Sequence, residues 1–164
     1  MYKLRVLALD MRSTHNVGAL LRTADCLGVD HVYLSGTSPY PKGMLHDDRL
    51  PHIQDKLDAQ IHKTALGAEQ SQSWSYSSDA TDTIHTLKQD GWSIIALEQA
   101  PNSIHLNDYA LINNTLLVLG TEVSGIPSQQ LKDMDAIIEI PMHGKKESLN
   151  VIQATAIACY KLIN

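Results

Sequence analysis

Cysteine is scarce in this 164-residue chain. Cys26 and Cys159 lie 133 positions apart with no CxxC pair, so neither a disulfide framework nor a redox motif can be assembled. No run of eighteen apolar residues occurs, which argues against a membrane-spanning helix. The N-terminal Met1-Tyr2-Lys3-Leu4-Arg5-Val6 lacks the apolar stretch of a secretory signal. These absences predict a cytoplasmic protein with reduced thiols. The eight histidines form no HxxxH or HxH pair, so no metal site is expected. GxGxxG and GxxxxGK(S/T) are both missing, which excludes a dinucleotide fingerprint and a P-loop. Aromatic residues make up only 5%, so base stacking by Trp74 or Tyr76 is a weaker reading than packing or turn roles.

Basic residues are outnumbered 13 to 18, for a formal net charge of -5. That balance opposes capture of nucleic acid by overall charge. The average hides a segregation. Residues 64–144 hold two basic residues, Lys88 and Lys132, against ten acidic ones, and the two ends together carry +3. A local basic surface and an unevenly charged solvated one are both compatible with this pattern. With 43% apolar and 19% charged residues, the chain reads as one globular domain over residues 1–164.

Leu4-Arg5-Val6-Leu7-Ala8-Leu9 has the aliphatic density of a buried parallel strand. Further strands are predicted at 31–34, 92–97, 116–119 and 136–140. Helical spacing runs from Asn16 to Leu27, where Gly28 suits a C-terminal cap, and again over 53–68, 81–89, 127–134 and 147–162. This alternation predicts an α/β fold, a mostly parallel sheet flanked by helices. Residues 35–52 read as a long loop, of a length that is uncommon unless functional or mobile.

Three segments carry chemistry or caps. Asn16-Val17-Gly18-Ala19-Leu20-Leu21-Arg22-Thr23-Ala24 offers either a helix cap at Asn16 with an Arg22/Asp25 ion pair, or a polar site. Leu119-Gly120-Thr121-Glu122-Val123-Ser124-Gly125-Ile126-Pro127 ends a strand in a glycine-bearing turn, where α/β ligand sites form. Ile140-Pro141-Met142-His143-Gly144-Lys145-Lys146-Glu147-Ser148-Leu149-Asn150-Val151 is a second strand end. There Ser148 or Asn150 can cap the next helix, and the two lysines face either solvent or phosphates. Cys26 and Cys159 read as buried apolar residues.

In order and spacing these segments resemble the NxGxxxRTA, LGxExxGxP and IPMxGxxxSLNV motifs of the SpoU (TrmH) family in the SPOUT superfamily of RNA methyltransferases. The resemblance spans nearly the whole chain and implies a single methyltransferase domain without a separate RNA-binding extension. Ile126, Ile152 and Gln153 depart from the commoner residues of the family. The resemblance implies a SPOUT-type fold with a C-terminal trefoil knot, a homodimer, and S-adenosyl-L-methionine as cofactor. It implies methyl transfer to a ribose 2'-hydroxyl of RNA, with tRNA favoured over rRNA. By the same resemblance Arg22, Asn16, Glu122, Ser148 and Asn150 are the catalytic set. Leu97, Gly120, Ile140, Met142, Ser148 and Leu149 hold the cofactor, and Arg22, Lys145 and Lys146 meet the RNA. A noncatalytic RNA-binding dimer and a small-molecule-binding α/β module are the rival readings, and a protein partner that delivers the RNA is left open.

Overall fold

The computed structural model describes residues 2–121 and 124–164. Seven strands form one sheet: β1 (Leu4–Leu9), β2 (His31–Ser35), β3 (Trp74–Ser77), β4 (Ser93–Leu97), β5 (Ile104–His105), β6 (Thr115–Leu119) and β7 (Ala136–Glu139). Their order is β3-β2-β1-β6-β4-β7-β5, and every pairing is parallel. Around them lie α1 (Thr14–Leu27), α2 (Pro51–Ala65), α3 (Ala68–Ser71), α4 (Thr81–Gln89), α5 (Ser128–Leu131) and α6 (Val151–Ile163). Among the described residues no helix is long and apolar enough to cross a membrane.

A parallel sheet covered on both faces needs aliphatic side chains at successive positions, because alternate residues enter opposite cores. β1 shows this directly. Leu4, Val6 and Ala8 pack with Val17, Leu20 and Leu21 of α1 and with Ala158 and Leu162 of α6. Leu7 and Leu9 face the other way, into a core with Leu87 of α4, Ile94, Ala96, Leu116 and Val118.

Ser13, rather than Asn16, caps α1: its side chain accepts the Asn16 backbone N–H at 3.3 Å. Asn16 therefore lies inside the first turn of α1 rather than at its cap. Gly28 closes the helix at φ 74°, as its position predicts. Gly18 is needed for a different reason: a Cβ there would lie 2.3 Å from both the Ile61 carbonyl oxygen and Thr64 Oγ1, so α1 and α2 touch through it.

Further expectations require correction: the last helix, expected over 147–162, begins only at Val151, and the one expected over 127–134 is confined to Ser128–Leu131. The predicted helix over 53–68 starts earlier, at Pro51, and breaks where Leu66 and Gly67 turn left-handed at φ 51° and 101°. Trp74 and Tyr76, expected in packing or turn roles, pack against the core, but from the edge strand β3 and not from a turn; it is invisible by aliphatic density because serines alternate with aromatics. Cys26 is exposed, not buried; Cys159 is buried, and burial pushes its thiol up to about 12.

Candidate active site

Because all seven strands run the same way, their carboxyl ends share one edge of the sheet, where backbone and loop groups converge on ligands. A cavity of about 460 Å³ lies there, at the ends of β4, β6 and β7. The predicted cofactor residues Leu97, Gly120, Ile140, Met142, Ser148 and Leu149 all line it. So do Asn16, from the first turn of α1, and Asn150, at the head of α6. Glu122 lies outside the described residues.

Asn150 has two roles. Its Oδ1 accepts the Ile152 N–H at 2.9 Å, capping α6, while the residue also forms part of the cavity wall. Ser148 is thereby left without the capping task. Thr121 and Gly125 exchange both backbone hydrogen bonds at 3.1 Å, and Thr121 Oγ1 lies 2.8 Å from Ser124 Oγ.

Sequence reasoning missed Glu98, Gln99 and Glu139, which also line the cavity. The signal was available for Glu98, the first residue after an apolar strand, at the position where ligand-contacting groups gather. Gln99 Nε2 donates to the Glu147 carbonyl oxygen at 2.9 Å and so draws the third segment toward β4. Glu139 faces His105 at 3.4 Å. Glu98 and Glu139 are the ionisable side chains among the described lining residues, so the cavity favours a cationic ligand. Among the described residues no three metal-ligating side chains cluster.

Arg22 does not line this cavity. It lies in an apolar groove between α1 and α6 with Cys26, Leu27, Ile157, Tyr160 and Lys161. Among the described residues it makes no ion pair with Asp25, whose carboxylate instead accepts the Ser71 hydroxyl at 3.0 Å. Ile157 and Tyr160 are 45% and 63% exposed, an unusual placement for apolar side chains on a packed helix. Lys145 and Lys146 are exposed in the loop leading to Ser148 and do not line the cavity.

An all-parallel α/β sheet with a small-molecule cavity at its carboxyl edge defines a ligand-using α/β protein. A family model described as the SpoU rRNA Methylase family matches residues 49–160, and the chain belongs to that family. The match contains the second and third motifs and follows the first in the chain. A tRNA (guanosine(18)-2'-O)-methyltransferase of Borreliella burgdorferi is 29% identical over 154 residues, covering 94% of this chain and 63% of that protein. The 23S rRNA (guanosine-2'-O-)-methyltransferase RlmB of Nitrosomonas europaea is 32% identical over 158 residues, covering 95% and 54%. The chain thus spans little more than half of these relatives. Two solved structures share the fold. An AdoMet-bound rRNA methyltransferase from Sinorhizobium meliloti superposes with a TM-score of 0.79 at 21% identity, covering 97% of this chain and 55% of that one. The TrmH/SpoU tRNA modifying enzyme of A. aeolicus gives 0.78 at 24% identity, covering 98% and 74%.

Proposed function

We propose that this chain is a cytoplasmic RNA methyltransferase that moves a methyl group from S-adenosyl-L-methionine to a ribose 2'-hydroxyl, with tRNA or rRNA as substrate and tRNA favoured. The observation that carries this reading is the convergence of Asn16, Ser148 and Asn150, from two distant motifs, on one cavity of small-molecule size. The cofactor supplies an electrophilic methyl on a positively charged sulfur. The cavity suits it: apolar walls from Leu97, Leu119, Ile140, Met142 and Leu149 accompany two carboxylates, Glu98 and Glu139, that favour positive charge. Its lining residues hold and orient the methyl donor, and Ser148 and Asn150 present hydrogen-bonding groups to the hydroxyl.

A ribose hydroxyl is a poor nucleophile at neutral pH, so its proton must be polarised. An arginine is always charged in a protein, which excludes Arg22 as a resting neutral base. Its part is to bind and orient the RNA phosphate, whose oxygen would accept the hydrogen bond of the 2'-O–H and pass its proton to water as the carbon–oxygen bond forms and the carbon–sulfur bond breaks. Arg22 is absent from the cavity of its own chain and sits among exposed apolar side chains of α1 and α6. That placement supports a homodimer built on this groove, in which the arginine serving one cavity comes from the other copy. A trefoil knot in the C-terminal part belongs to the same reading; α6 packing back against α1 and β1 is compatible with it.

Labelled S-adenosyl-L-methionine, incubated with tRNA and separately with rRNA from a strain lacking this protein, tests the reading through nucleoside mass spectrometry. A 2'-O-methyl nucleoside in one pool is the expected result. Cofactor binding without transfer to either pool would favour a noncatalytic RNA-binding dimer or a missing protein partner. Absence of cofactor binding would sink the reading.

A further inference from the structure

A second cavity, of about 580 Å³, opens at the same edge of the sheet, between the head of α1 and the loop that follows β2. Arg12, Thr14, Thr37, Tyr40, Arg49 and Tyr76 contribute to its lining. Among the described residues its ionised lining residues are both arginines and no carboxylate lines it, a local reversal in a chain of net charge -5.

The two arginines are differently placed. Arg49 donates to Asp47 from Nε at 2.8 Å and Nη2 at 2.5 Å, to the Tyr40 carbonyl from Nη1 at 2.8 Å, and to the Pro41 carbonyl from Nη2 at 3.2 Å. Its guanidinium lies 3.5 Å from the Tyr40 ring centroid, and Tyr40 stacks on Tyr76 at 4.0 Å. Arg49, Tyr40 and Tyr76 therefore form a rigid wall. Arg12 is exposed, and among the described residues no group bonds to its guanidinium. Two acids of the adjoining loops are engaged, Asp47 by Arg49 and Asp10 by Thr37, whose N–H and hydroxyl donate to Oδ1 at 2.8 and 3.0 Å, while Asp48 is exposed.

The head of α1 separates the two cavities. Arg12 and Thr14 line one, and Asn16 lines the other. A polymer whose ribose enters the first cavity can therefore continue over a single helical turn into the second. Arginine forks match phosphate oxygens, and such contacts set the register of a nucleic acid without reading its bases. We propose that the second cavity is a subsite for the RNA backbone next to the methylated nucleotide, with Arg12 pairing to a phosphate and the Arg49–Tyr40–Tyr76 stack fixing the loop that frames it. The proposal rests on the RNA methyltransferase reading above.

Binding of total tRNA, followed by fluorescence across a salt series, tests it. Arg12→Gln weakens binding roughly two- to fivefold, as loss of one exposed charge contact does. It also flattens the slope of log affinity against log salt by about one, while Arg12→Lys retains the slope. Lys132→Gln, a surface charge that lines neither cavity, leaves the slope unchanged, and calorimetry shows equal S-adenosyl-L-methionine affinity in all four proteins. Wild-type tRNA binding with the same slope and affinity in Arg12→Gln would overturn the subsite alone. Failure of the wild type to bind tRNA or rRNA at any salt would overturn the RNA reading beneath it.

Discussion

Glu98 holds the backbone of Ile126: its Oε2 accepts the Ile126 N–H at 2.9 Å, while Oε1 accepts the Gln99 N–H at 2.9 Å. The contact ties the end of β4 to the turn after β6, and Gly125 permits it. At φ 66°, a Cβ on residue 125 would also lie 2.2 Å from Glu98 Oε2. Glu98→Ala should destabilise the fold by about 1–3 kcal/mol, the range for removing a charged hydrogen-bond acceptor. Gly125→Ala should cost a similar ~1–3 kcal/mol through left-handed strain. Both should weaken S-adenosyl-L-methionine binding in calorimetry, and Glu98→Gln should fall between wild type and Ala. Unaltered cofactor affinity in Gly125→Ala would show that this turn does not shape the cavity.

The break between α2 and α3 is held by an ion pair that titrates. His62 Nδ1 lies 2.5 Å from Glu69 Oε1, and Glu69 Oε2 accepts the Gly67 N–H at 3.0 Å. Hydrogen bonding and charge from Glu69 hold the His62 imidazole above its ordinary value of 6.5. Burial pushes the Glu69 carboxyl up, but His62 and the backbone amides outweigh it and leave it below 4.5. The histidine's contribution is therefore full below pH 6.5 and disappears as pH rises through its elevated folded value. The carboxylate's contribution is present above 4.5 and disappears on acidification. Thermal melts across pH should show a decline on the neutral-to-alkaline side that His62→Gln flattens. Parallel curves for the two proteins would remove the pair from the account.

Cys26 reports on the groove between α1 and α6. In a monomer its thiol is exposed, whereas Cys159 is buried and its thiol held up to about 12. Thiol reagents should therefore label Cys26 alone under native conditions. If two copies meet on this groove, labelling should slow as protein concentration rises, and Tyr160→Ala should restore the fast rate. A rate independent of concentration, with a monomeric mass in light scattering, would refute assembly on this face.

The exposed Lys145 and Lys146 lie beside the cavity without lining it. Their double replacement by alanine should weaken RNA binding and leave cofactor affinity nearly intact. Equal loss of both would mean that the loop organises the cavity.

Much of this fold was legible because buried parallel strands are written in aliphatics: β1 and α4 fall at their predicted bounds, Leu4–Leu9 and Thr81–Gln89. β3 escaped because Trp74-Ser75-Tyr76-Ser77 is a half-buried edge strand, stabilised by ring stacking rather than aliphatic burial. The cap at Ser13 was hidden by the motif that begins three residues later. The grouping of Asn16 with Ser148 and Asn150 followed from the family motifs, whereas local spacing alone allowed each to be a cap. Glu98 belongs to no motif and is marked only by its place after the apolar strand β4, whereas three-dimensional placement alone brings Arg12 to its cavity. The position of Arg22 depends on which face of α1 meets α6, a tertiary fact that periodicity within α1 does not carry.

The central pairing of the sheet has a consequence for how the molecule comes into being. β1 lies beside β6, Leu4 opposite Thr115 and Ala8 opposite Leu119, so neighbours in the sheet are more than a hundred residues apart in the chain. Contacts of such separation close slowly, and a nascent chain must carry one edge of β1 unpaired until Thr115–Leu119 have been synthesised. The first cavity forms later still, since Val151 and Ala154 of α6 complete its wall. The sheet is therefore closed only when β6 reaches β1, and a chain stalled short of β6 would display a hydrophobic strand edge to chaperones or to other unfinished copies of itself.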